Sequence, residues 1–248
     1  MLMVLLACTP KPQAGDTEGG VEETGPSFES LEPQWDIYGA SDALRALLAL
    51  GLPRRDVILD PYLELVRGGD SWCPNAPDDQ FPEGRVPLGG CSSSNGTFYQ
   101  GLSEYFVFED TFRLWGDLRM VRANGQVFEV AGVQENFSDV LTVQGSFLDE
   151  AGDGWLQNGL GAALTVDLTG DERSVTGGLA ALEGQRAGWY ALEMTEDCAS
   201  GEVRTRDAGG GWYTWTLDDC SCGTVTFASE DLGATCLGLD GLRAQVFP

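Results

Sequence analysis

From Gly96 onward apolar side chains return at every second position, a period that only an extended strand with one buried face satisfies. Thr111 to Arg122 places Phe112, Leu114, Leu118 and Met120 on one side. Asn124-Gly125 is a type I′ hairpin signal, and Gln126 to Val130 returns as the partner strand. Leu141, Val143 and Phe147 alternate next, followed by Leu164, Val166 and Leu168, and Thr169-Gly170-Asp171 turns the chain toward Ser174 to Leu182. Trp189 to Met194, Glu202 to Arg206, Trp212 to Leu217, Thr224 to Phe227 and Cys236 to Leu239 complete the predicted set of strands. Turn signals come at the spacing of about 8–12 residues that marks an antiparallel sandwich or barrel. The expected fold is therefore mainly β, an antiparallel β-sandwich or barrel-like sheet over residues 96–248. No internal repeat is evident, which argues against a propeller.

The preceding section, 35–95, has a different period and should pack on the sheet as a small helical pair. Ser41 is a suitable N-cap for Asp42 to Leu50, with Gly51 as the stop and Leu44, Leu47 and Leu48 forming an apolar stripe. Val57, Ile58, Tyr62, Leu65 and Val66 keep helical spacing in a second segment. Pro61 falls inside it and predicts a kink or a fresh start capped by Asp60; Arg67 and Gly68-Gly69 end it. Stripes of this kind fill cores.

Residues 9–34 read as a tether. They hold Pro10, Pro12, Pro26 and Pro33, and six acids stand against Lys11, with no apolar period. Such a stretch buries too little surface to offset its ordering entropy. Over the whole chain 39 Asp+Glu oppose 14 Lys+Arg, a net charge of −25. That balance repels nucleic acid and anionic lipid head groups. The chain has no histidine, so Ser-His-Asp and Cys-His catalysis are excluded and the commonest zinc ligand is missing. No apolar run beyond Cys8 approaches the about 20 residues that a membrane helix needs.

The tether follows Leu5-Leu6-Ala7-Cys8, a cysteine after a small residue and a short apolar run, with residues 1–8 reading as the remnant of a leader. This resembles the lipobox of bacterial lipoproteins, which implies cleavage before Cys8 and a lipid on its thiol. Only Met1 to Ala7 precede the cysteine and none is basic, so the expected start lies upstream. Thr9 stands where an aspartate would retain the protein at the inner membrane, so the resemblance implies an outer-membrane anchor. Stable anchoring takes more than one acyl chain.

Six further cysteines, Cys73, Cys91, Cys198, Cys220, Cys222 and Cys236, read as three disulfides of an exported chain. Cys73 and Cys91 flank a proline-rich loop and should close it. Pairing among the other four is open, except that Cys220 and Cys222 should reach different partners, since a bridge across one residue is strained. A four-thiolate zinc site is the alternative, although Cys-x-Cys is not the usual ligand spacing.

Two stretches carry candidate chemistry. Asp149, Glu150 and Asp153 concentrate oxygen ligands in a turn and are the calcium candidates, although the EF-hand pattern is absent and Asp and Gly suit any β-turn. Tyr213 and Trp215 share one face of a strand, opposite Trp212, and are the candidates for stacking on a sugar ring. No cofactor signature is present and no nucleophile has a base beside it. The lipobox, Trp72-Cys73-Pro74 ahead of Cys91, and Cys220-Ser-Cys222-Gly-Thr-Val-Thr-Phe ahead of Cys236 together resemble acidic, glycine-rich, multi-cysteine lipoproteins of myxobacterial type. That resemblance brings no activity with it. The expectation is a membrane-anchored, extracytoplasmic, non-enzymatic binding or structural module, its partners the membrane through Cys8 and an envelope protein or glycan. The alternatives are a hydrolase using two carboxylates, or a carbohydrate-binding module.

Overall fold

Among the described residues twelve strands follow one another across a single antiparallel meander, and a thirteenth, off that path, pairs with the second of them. The computed structural model describes residues 37–48, 51–75, 83–86, 90–152, 156–181, 187–206 and 210–247. Two helices come first, α1 (Ile37–Leu48) and α2 (Arg55–Arg67). Two short strands, β1 (Glu83–Val86) and β2 (Cys91–Ser92), both pair with the long β3 (Phe98–Phe108). The meander continues as β4 (Thr111–Val121), β5 (Val127–Phe137), β6 (Val140–Asp149), β7 (Leu160–Asp167) and β8 (Arg173–Ala181). It ends with β9 (Ala187–Met194), β10 (Ala199–Arg206), β11 (Trp212–Asp219), β12 (Cys222–Phe227) and β13 (Glu230–Cys236), before a closing helix α3 (Asp240–Val246).

The fold is mainly antiparallel β with helices docked on the sheet, as the alternation predicts. It is one continuous sheet and not a sandwich of two, and it does not close into a barrel: β1 and β13 remain edges. The sheet is nevertheless rolled. In the strand order β5 and β10 stand five places apart, about 24 Å if the sheet were flat. Helix α2 packs on β5 and α1 on β10, and both helices belong to one hydrophobic core. Buried residues of β3 through β12 belong to that same core, so the sheet curls around the helices.

Inward-facing glycines allow that curvature. Gly177 has φ +107, and a Cβ on it would lie 2.0 Å from the carbonyl oxygen of Ala163 on the neighbouring strand. Only glycine tolerates that approach, and glycines in strands mark such bends. Gly188 serves the helices instead. A Cβ there would meet Leu47 at 2.3 Å, so α1 reaches the floor of the sheet through a leucine seated on a missing side chain.

Polar groups of the sheet fix the helices in place. The Gln134 amide donates to the carbonyls of Pro53 at 3.0 Å and Arg54 at 2.9 Å, holding the entry to α2. Tyr99 donates to the Leu65 carbonyl at 2.8 Å, and the Tyr62 and Ser103 hydroxyls meet at 2.8 Å. Burial of the Tyr62 phenol raises its pKa well above the ordinary value, as burial does for Tyr190. At the other end of the chain, Gln245 of α3 accepts from Leu52 N at 2.6 Å.

Several local expectations need correction. Helix α1 begins at Ile37, so Ser41 lies inside it and does not cap it. Pro61 lies within a single helix α2 and starts no new one. The hairpin at Asn124-Gly125 forms, but of its loop residues only Gly125 has positive φ (+87). Gly125 N bonds Arg122 O at 2.8 Å, which makes a type I turn closed by a left-handed glycine and not a type I′ turn. Two-residue turns with positive φ at both positions do occur, at Ser138-Asp139, Cys220-Ser221 and Ala228-Ser229, all without glycine. The last strand is Glu230–Cys236, so Leu237 to Leu239 leads into α3 and does not extend a strand.

Candidate functional site

Alternation divides each strand between an inner face beneath the helices and an outer face toward solvent. On β11 the inner residues are Tyr213 and Trp215, 2% and 0% exposed, while Trp212 points outward at 42%. The two candidate stacking residues are thus core. Tyr213 lies 5.1 Å from the Phe227 ring and 6.0 Å from Trp215, and neither has a surface to offer a ligand. β11 neighbours β10, on which α1 docks, so it sends its largest aromatics toward the shared core.

The outer face of β9 to β11 carries a different constellation. Trp189 pairs in register with Arg204, and Arg206 pairs with Trp212. All four project outward, between inward Tyr190, Val203, Thr205 and Tyr213. The Arg204 guanidinium lies over the Trp189 ring, 5.1 Å from its centroid. On the other side of that indole stands Gly178, whose lack of a side chain leaves the ring open. Elsewhere on the outer face arginines are matched to acids: Arg113 with Glu135 at 3.4 Å and Arg119 with Glu129 at 2.6 Å. Arg204 is likewise bonded to Glu202 at 2.5 Å. Among the described residues Arg206 has no acidic partner and donates to the Gly210 carbonyl at 3.2 Å. Two half-exposed indoles thus flank two guanidiniums on an open sheet face. The alternation of Trp189 and Trp212 against inward tyrosines is the sequence signal that points to this patch.

The calcium candidates are otherwise engaged. Asp149 is buried and pairs with Arg122 at 2.8 Å while accepting from Ala151 N at 3.0 Å. Glu150 accepts from Val127 N at 2.7 Å. Both carboxylates close the β5–β6 end of the sheet, and a cation there would have to displace Arg122. Asp153 lies outside the described residues. Among the described residues no three metal-ligating side chains gather.

The carboxylate alternative needs two acids converging where one of them is desolvated. A cleft of about 380 Å³ lies between the β7–β8 and β9–β10 turns and is lined by Asp171, Glu196, Asp197 and Arg173. Its three acids are exposed to water, and Arg173 is committed to the C-terminus, bonding the Val246 carbonyl and stacking on Phe247 at 4.4 Å. Nothing in that cleft supplies the burial that makes a carboxyl a proton donor near neutral pH.

The cysteines pair as Cys73–Cys91, Cys198–Cys220 and Cys222–Cys236. Cys220 and Cys222 reach different partners, as the strain of a one-residue bridge requires. With all six in disulfides the four-thiolate zinc reading falls, since a zinc ligand must be a thiolate. Cys8 lies outside the described residues, and no described helix is long and apolar enough to cross a membrane. No protein-family model matches the chain, and no similar protein was found among curated sequences or solved structures.

Proposed function

We propose that this protein is a lipid-tethered module of the cell envelope that binds through its folded domain and performs no catalysis. The observation that carries the reading is the set of three disulfides, at separations of 18, 22 and 14 residues, on a domain that follows Cys8 and an acidic tether. Disulfides persist in oxidising compartments, so the domain belongs outside the cytoplasm. A lipobox-like Leu5-Leu6-Ala7-Cys8 supplies the anchor, and the charge of −25 keeps the domain off anionic head groups while the tether gives it reach. The outer membrane follows from Thr9 by resemblance to Gram-negative lipoproteins. On the domain, the outward Trp and Arg residues of β9 to β11 provide a surface for a partner, whereas the acids of the terminal cleft lack the environment of a catalytic pair.

The test is metabolic labelling with a tagged fatty acid in the native cells. Wild-type protein incorporates the label and sediments with membranes, while Cys8→Ser loses the label and becomes soluble. An unlabelled wild type would end the lipoprotein reading.

A further inference from the structure

We infer that the outer face of β9 to β11 binds a carboxylated polysaccharide, stacking its rings on Trp189 and Trp212 and receiving its carboxylates at Arg206 and Arg204. This names a ligand class for the binding surface proposed above and rests on that reading of the domain, but not on its lipid.

The argument begins with geometry. Trp189 and Trp212 stand on strands separated by one other, so they lie about 9–10 Å apart across the sheet and about 6–7 Å apart along it. Both are partly open, 37% and 42% exposed, although the chain has a continuous core able to take aromatics. The intervening strand contributes Arg204 and Arg206, whose outward side chains lie between the indoles. An open face of this kind suits a ligand that lies along it rather than one that inserts. A pyranose ring presents an apolar C–H face to each indole, and a uronate carboxylate accepts a forked pair of hydrogen bonds from a guanidinium.

Charge then selects among sugars. The chain as a whole is strongly acidic, and its other outer-face arginines described above are cancelled by a glutamate within 3.4 Å. Among the described residues Arg206 is not, and Thr214 and Gly178, which pair with Arg204 and Trp189, add no charge. At physiological salt, charges more than about 8 Å away are largely screened, so a ligand at this face meets the local guanidiniums more than the distant acids. Arg204 is partly neutralised by Glu202, which makes Arg206 the leading carboxylate contact and leaves Arg204 chiefly to hold the Trp189 ring.

Affinity electrophoresis of the full chain at physiological ionic strength provides the test, with polygalacturonate in one gel and neutral dextran in another. Polygalacturonate should retard the wild type and dextran should not. Arg206→Gln should weaken retardation about tenfold, as expected for one charge-assisted contact, and Trp189→Ala with Trp212→Ala should abolish it. Trp115→Ala, which removes an exposed indole from β4, should leave it unchanged. Near-UV circular dichroism of each variant shows that a loss is not unfolding. An unretarded wild type, equal retardation by dextran, or an equal loss in Trp115→Ala would overturn the proposal. Competition by poly-glutamate as effective as by free polygalacturonate would also overturn it, since charge alone would then explain binding. Labelling at Cys8 is read separately, so failure here leaves the tethered module standing.

Discussion

Strands β3 to β6 run for 10 or 11 residues each and include the docking site of α2, whereas β10 to β13 run for six to eight. The first group buries Tyr99, Leu114, Met120, Phe128 and Phe147 almost completely and anchors α2 through Tyr99, Ser103 and Gln134. The second group has a good core on β11 and β12, but its last strand is exposed along most of its length. Four of the six paired cysteines fall in or beside this second group. Where strands are long and covered, apolar burial holds the sheet; where they are short and end at an open edge, cross-links limit what unfolding can gain. Edge protection is visible too: β13 opens with Glu230 and Asp231 and carries a register shift against β12, features that discourage edge-to-edge pairing.

Removing cross-links should therefore separate the two regions more than any other change. Loops of 22 and 14 residues are each worth about 3 kcal/mol in the chain-entropy model, so replacing Cys198, Cys220, Cys222 and Cys236 with serine should cost about 6 kcal/mol. The single 18-residue loop lost in Cys73→Ser with Cys91→Ser should cost about half of that. Urea unfolding gives the totals, and hydrogen exchange should show β10 to β13 opening while the amides of β4 and β5 stay protected. Equal loss of protection in both regions would contradict the comparison.

A cavity in the second region comes next. Trp215→Ala, at a site with no exposed surface, should cost about 3–5 kcal/mol. Its indole N–H has no hydrogen-bond partner among the described residues, so Trp215→Phe, which keeps much of the volume without that donor, should cost far less. If the two substitutions were equally damaging, packing would not be what Trp215 contributes.

The most gradual effect is alkaline. Burial raises the phenol pKa of Tyr62 beneath β3 and of Tyr190 on β9, so the folded state keeps both neutral. In the unfolded chain they ionise near pH 10, and stability is fully present below that value and lost as pH rises through and beyond it. Melting temperatures should fall between pH 9 and pH 11, and Tyr190→Phe should flatten the fall. A profile unchanged by that substitution would show that Tyr190 does not report on burial.

Much of this protein follows from local chemistry. Alternation locates strands because side chains on a strand have a period of two whatever they pack against, and so Thr111–Val121 and Trp212–Asp219 are readable from residues alone. Asn124-Gly125 marks a hairpin because glycine accepts the left-handed position, although the turn type depends on one more residue of loop. Segments whose composition hides the period escape: β3 interrupts its apolar run with Gly101 and Ser103, β13 reads as an acidic turn, and α3 is only seven residues long. Alternation also separates Trp212 from Tyr213 and Trp215, but it assigns no direction to either side. Direction was set by the curl of the sheet around α1 and α2, which decides where water is excluded. Strand pairing joined all strands into one open sheet where spacing allowed a sandwich, and it brought Cys198 to Cys220 across β10 and β11 and set Cys222 opposite Cys236 on β12 and β13. Those outcomes depend on contacts between residues far apart in the chain, whose cost and gain no local pattern records.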